Sequence, residues 1–153
     1  MRAKASIRSA TLAARSRERK SKRPWLISHE APLDVSVLLA GIWQQPPDFA
    51  KADAWLAGRQ VATCALSELG FLRVSTHQKA LNADMNASRR LLQAFLEKHN
   101  AQFVPADLPA LKCSARRSED LTDLYLAELA ASKGMKLATF DTGIKHAAVE
   151  VIK

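Results

Sequence analysis

Apolar positions recur along this 153-residue chain in two rhythms, and the changes of rhythm mark its elements. Residues 35–43 (VSVLLAGIW) read as a first helix, which the Pro46-Pro47 pair breaks. A short helix over 49–56 ends at Gly58. Residues 60–65 alternate weakly and are β-branched enough for a buried strand. Ser67 is placed to cap a helix over 68–74, because its hydroxyl can accept from a free backbone N–H. Residues 83–99 carry Leu91, Leu92, Phe95 and Leu96 at helical spacing, with Arg89, Arg90 and Lys98 outside. A minimal strand over 102–104 precedes Pro105. The clearest helix spans 120–132: Leu121, Leu124, Leu126, Leu129 and Ala130 form its buried side, and Gly134 is its stop. Strands over 136–140 and 149–152 follow, and there are no internal repeats.

Helices alternating with short apolar strands predict an α/β domain with a mostly parallel sheet covered on both faces. Such sheets bind ligands outside the carboxyl ends of their strands, at a switch in strand order. Asp34, Glu68 and Asp141 fall at predicted strand ends or just after them, and Asp123 falls in the first turn of its helix. Taken singly, each has an ordinary explanation as a cap, a turn residue or a first-turn acid favourable to the helix dipole. Taken together they outline a shared polar cleft.

Charge divides the chain. Residues 1–24 hold nine of the 23 Lys/Arg and one of the 15 Asp/Glu, so the remainder is neutral and the net +8 belongs to this tail. The tail has no apolar periodicity and reads as disordered, or helical only on an anionic partner. It could be a nucleic-acid-binding arm, a transit-peptide-like segment, or an extension from a misplaced start. Residues 25–153 read as one domain. Cys64 and Cys113 make no disulfide framework, and Cys64 fits a small buried hydrophobe. No stretch is long and apolar enough to span a bilayer, and the first residues lack the apolar core of a secretory signal, so a cytoplasmic location is expected.

Carboxylates are costly to bury unless paired, protonated or bound to a cation. Several converging at strand ends make an oxygen site suited to Mg²⁺ or Mn²⁺, and so to metal-assisted hydrolysis of a phosphodiester. No Ser/His/Asp or Cys/His set competes. His29, His77, His99 and His146 are scattered without metal-ligand spacing. Arg73, His77 and the Arg116-Arg117 pair are candidates to meet nucleic-acid phosphates, with a solvated charged face as the plain alternative. Trp43, Trp55, Leu38, Leu39 and Leu56 could line a dimer or partner groove, although core packing suits Leu38 and Leu39 better.

The strings LDVSVLLAG, ATCALSELGFLRVS, LTDLYLAELAASKGMKLATFD and FDTGI resemble, in order and spacing, the PIN-domain ribonucleases, and more narrowly the VapC-type toxins of toxin–antitoxin pairs. The resemblance runs from Leu33 to Ile152. It implies a three-layer α/β/α sandwich, Mg²⁺ dependence, cleavage within RNA and inhibition by a cognate antitoxin; beside it, Mn²⁺ is a possible alternative ion and a homodimer is expected. Matched by motif, Asp34, Glu68, Asp123 and Asp141 are the four catalytic acids. Asp34 and Asp123 are the direct metal ligands, and Thr139 supports the site through its hydroxyl. Ser36 stands where members commonly have Asn, and no His follows the first helix. The segment before Asp34, SHEAPL, is polar for a central strand and contains Pro32, which cannot donate to a ladder. Either the strand is only residues 32–34, or the native chain starts elsewhere.

Two rivals remain. The chain could be a non-catalytic nucleic-acid-binding protein that uses the tail, with its body as an interaction module. A nucleotide-binding α/β domain is disfavoured, since there is no GxGxxG or Walker glycine loop.

Overall fold

The computed structural model describes residues 30–44 and 47–153. The basic tail, His29 and Pro46 lie outside the described residues. The described elements run β1 (Ala31–Pro32), α1 (Val35–Trp43), α2 (Phe49–Leu56), β2 (Val61–Thr63), α3 (Ala65–Thr76), α4 (Met85–Lys98), β3 (Gln102–Phe103), α5 (Leu121–Ser132), β4 (Leu137–Thr139) and β5 (Val149–Val151).

Among the described residues all the strand pairings are parallel. β1 pairs with β2, β2 with β3, and β4 with β5. A single bridge, Leu33 to Ala138, joins the two groups into the order β3-β2-β1-β4-β5. Pro32 explains why that central junction is so thin. The amides of Ala31 and Leu33 face β2, donating to Gln60 O (3.4 Å) and Ala62 O (2.9 Å). Alternation therefore turns the Pro32 nitrogen toward β4, where it has no hydrogen to give. The ladder to β4 begins only at Asp34, whose amide donates to Ala138 O at 3.0 Å. The polar lead-in to Asp34 thus costs the sheet one bond and still leaves Ala31, Pro32 and Leu33 buried.

Strand alternation feeds two cores. Leu33, Val61, Ala138 and Ile152 point to one face, where α1 to α4 supply Val37, Leu38, Leu56, Phe71, Leu92 and Phe95. Ala62, Leu137 and Val149 point to the other, against Tyr125, Leu126, Leu129 and Ala130 of α5. The result is a three-layer α/β/α sandwich. Leu38 is fully buried, while Leu39, Trp43 and Trp55 are only partly covered. Trp43 Nε1–H donates to Ser75 Oγ (2.9 Å), and Trp55 Nε1–H to Glu150 Oε1 (2.9 Å).

Most element boundaries follow the hydrophobic rhythm, and α1 spans the expected 35–43. The cap of α3 does not. The helix starts at Ala65 with Cys64 in the N-cap position, and Ser67 lies inside it, its hydroxyl accepting from the Cys64 amide (3.2 Å). The strand expected over 60–65 closes at Thr63, two residues early, so the helix can begin sooner and Ser67 caps in reverse. The 120–132 helix begins at Leu121, after a 3₁₀ turn over Ser118–Asp120. Gly134 ends it at φ +70°, a left-handed conformation that favours glycine.

Candidate active site

The strand order reverses between β1 and β4, so the crevice lies where Asp34 and Thr139 end their strands. Asp34 follows Leu33 directly and is the N-cap of α1, its Oδ1 accepting from the Val35 amide at 2.7 Å. The helix-cap explanation is therefore correct as far as it goes. Capping uses one side of one oxygen, however. Oδ2 accepts from Ser36 Oγ and from Thr139 Oγ1, both at 2.8 Å. These bonds pin a carboxylate that is only 7% exposed.

Asp141 lies two residues beyond β4 and is exposed. Its amide donates to Thr139 Oγ1 (3.0 Å), and its Oδ1 accepts from the Gly143 amide (2.6 Å). A Cβ at Gly143 would come within 3.0 Å of that Oδ1, so glycine suits this tight turn. Asp123, in the first turn of α5, is half-buried and accepts no hydrogen bond from the described residues. Burial pushes its carboxyl above the usual carboxylate range, and the negative charges of Asp34, Asp141 and Asp120 push it further the same way. Three acids separated by 89 and 18 residues of chain thus share one electrostatic field. Glu68 is not among the charges acting on Asp123. It sits in the first turn of α3 beyond the neighbouring strand β2, and its Oε1 accepts from Thr63 Oγ1 (2.7 Å). All four acids occupy the carboxyl edge of the sheet: Asp34, Asp123 and Asp141 at the β1–β4 crevice, Glu68 one strand away.

Among the described residues, none of these four carboxylates forms an ion pair. No three Asp, Glu, His or Cys side chains among them already stand as a closed metal cage. Charge left uncompensated on an all-oxygen donor set fits a hard divalent cation held by one or two carboxylates and several waters, the habit of Mg²⁺. A cleft of about 480 Å³ runs from Asp123 and Asp141 past Leu124, Ile144 and Lys145 to Arg117. Arg117 is engaged there by Asp120 (2.8 Å) and Glu119 (3.3 Å). Lys145 has no carboxylate partner among the described residues, and its Nζ donates to Thr142 O at 3.0 Å.

Two residues read from the sequence as candidate phosphate contacts stand elsewhere. Arg73 and His77 occupy the last turn and the C-cap of α3, the end remote from the carboxyl edge. Lys145 was not distinguishable in the sequence, because only the turn at 141–143 brings it beside Asp141. His99 packs on Phe95, with ring centroids 4.5 Å apart, and burial chiefly pulls its pKa down.

The PIN domain family model matches residues 32–150. Ribonuclease VapC38 of Mycobacterium tuberculosis (strain ATCC 25618 / H37Rv) is 32% identical over 122 residues, 74% of this chain and 86% of that protein. Ribonuclease VapC39 of the same strain is 29% identical over 129 residues, covering 77% and 93%. A chain from the crystal structure of VapBC2 from Rickettsia felis, bound to a DNA fragment from their promoter, superimposes with a TM-score of 0.51. That match covers 74% of this chain and 89% of the other at 14% identity, a likeness of fold.

Proposed function

This chain belongs to the PIN domain family and is of the VapC type, and from that premise we propose that it is a Mg²⁺-dependent endoribonuclease, the toxin of a toxin–antitoxin pair. The observation that carries the reading is that Asp34, Asp123 and Asp141 gather at the carboxyl edge of the sheet by the β1–β4 crevice, Asp123 and Asp141 lining one cleft, without a cationic partner among the described residues. Metal-free, that arrangement works against the fold; a divalent cation turns it to use.

Asp34 and Asp123 would hold the ion, Mg²⁺ or Mn²⁺. When bound, it supplies charge to offset the phosphoryl oxygens and acidity to activate water. The side chains do the rest. Hydrogen bonds on both oxygens keep Asp34 from turning away. Asp141, exposed at the cleft and restrained through Gly143, would orient water and accept its proton. Glu68, restrained by Thr63, serves the same edge from β2. Lys145, which lines the same cleft, would meet a phosphate next to the scissile one as a point charge. The partners that follow are RNA, a cognate antitoxin and a second copy of the chain. The names of the relatives support the first two.

The test is cleavage of a synthetic RNA by the purified full chain. We expect cleavage with Mg²⁺, loss of it in EDTA, and restoration by Mg²⁺ or Mn²⁺. Asp34→Asn preserves the cap of α1, since Asn caps as well as Asp, yet should slow cleavage by about 100-fold or more. Cleavage that persists in EDTA would overturn the reading.

A further inference from the structure

The donors around Asp34 are distributed unequally over its two oxygens. Oδ1 accepts one hydrogen bond, from the Val35 amide. Oδ2 accepts two, from the hydroxyls of Ser36 and Thr139. Each hydroxyl has a single proton, and each also receives a backbone N–H from the end of β4. Phe140 N donates to Ser36 Oγ (3.3 Å), and Asp141 N donates to Thr139 Oγ1 (3.0 Å). The two hydroxyls lie 3.4 Å apart, but a proton gains more from a carboxylate at 2.8 Å than from a neutral hydroxyl at that distance. Both protons therefore point at Oδ2. A carboxylate oxygen offers about two lone-pair sites, so Oδ2 is filled and Oδ1 keeps one site open.

We propose that Ser36, together with Thr139, is a positioning residue that restricts Asp34 to ligation through Oδ1 alone and so biases the site toward Mg²⁺ over Ca²⁺. This rests on the reading of the site given above. Ca²⁺ favours six to eight oxygens, with carboxylates often contributing both, at roughly 2.3–2.6 Å; Mg²⁺ requires an octahedron at about 2.0–2.1 Å and keeps its waters. A carboxylate with one oxygen already occupied suits the second ion better. The Ser36 side chain is half-exposed at the start of α1, where a change leaves the core intact.

Calorimetric titration of the RNA-free full chain with MgCl₂ and with CaCl₂ tests the proposal. The wild type should bind Mg²⁺ the more tightly. Ser36→Ala should narrow the Mg²⁺/Ca²⁺ affinity ratio by about threefold or more, and Ser36→Ala with Thr139→Val by roughly 10-fold or more, within the span known for groups that orient metal ligands. Ser36→Thr keeps a hydroxyl and should restore the wild-type ratio. Thr139 is fully buried, so the Ser36 single variants keep the test decisive should the double variant misfold. Equal weakening of both ions in Ser36→Ala, or an unchanged ratio, would overturn the proposal and leave the nuclease reading standing. A wild type that binds neither ion would overturn both.

Discussion

At the scale of single residues, Asp123 carries the least compensated charge of the site. Its folded-state carboxyl is held above the ordinary range, first by burial and then by the charges of Asp34, Asp141 and Asp120. A group raised in this way favours folding below its ordinary pKa and loses that contribution as pH climbs through the raised value. Metal-free wild type should therefore gain stability as pH falls from neutrality through that window. Asp123→Asn carries no such charge. It should be the more stable protein at neutral pH, by at most about 1 kcal/mol given solvent screening, or roughly 2–4 °C in Tm. The advantage should vanish in acid and reverse when saturating Mg²⁺ stabilises the wild type alone. Thermal melts across pH, with and without Mg²⁺, measure this; a neutral-pH variant no more stable than wild type would contradict it. That Asp34, Asp123 and Asp141 stand at the edges of apolar runs was legible in the sequence. Their hydrogen bonds were not. Nothing local reveals that Ser36 and Thr139, 103 residues apart, meet on one oxygen.

At the scale of elements, Asp34 is steadied from behind by the packing of α3 on α1. A Cβ at Gly70 would overlap Val35 Cγ2, so the absence of a side chain there lets α3 approach the residue next to Asp34. Gly70→Ala must push Val35 aside. We expect destabilisation of about 1–3 kcal/mol, the usual range for overpacking, read as a lower denaturant midpoint together with weaker Mg²⁺ binding. A variant as stable as wild type would show that α1 yields easily. Elements with strong periodicity, such as α1 and α5, could be placed from sequence within a residue or so. The start of α3 could not, because Ser67 carries the chemistry of a cap whether it stands at the helix start or, as here, three residues inside it.

At the scale of the molecule, the parallel α/β architecture was legible while the strand order was not. Strands of two or three residues carry too little pattern to reveal their neighbours, and a proline in the central strand argues locally against any strand at all. The order β3-β2-β1-β4-β5 resolves the difficulty by turning the Pro32 nitrogen to the thin seam. That seam is also the switch point, so the crevice opens where the sheet is least closed, with Asp34 on one bank and Asp141 on the other. On the proposed function, this crevice cuts RNA because its acids hold a divalent ion. The most direct measurement is the rate of RNA cleavage in saturating Mg²⁺ by Asp123→Asn beside wild type, each first verified as folded by circular dichroism. The account predicts a fall of about 100-fold or more with the fold unchanged; a folded Asp123→Asn that cleaves at the wild-type rate would contradict it.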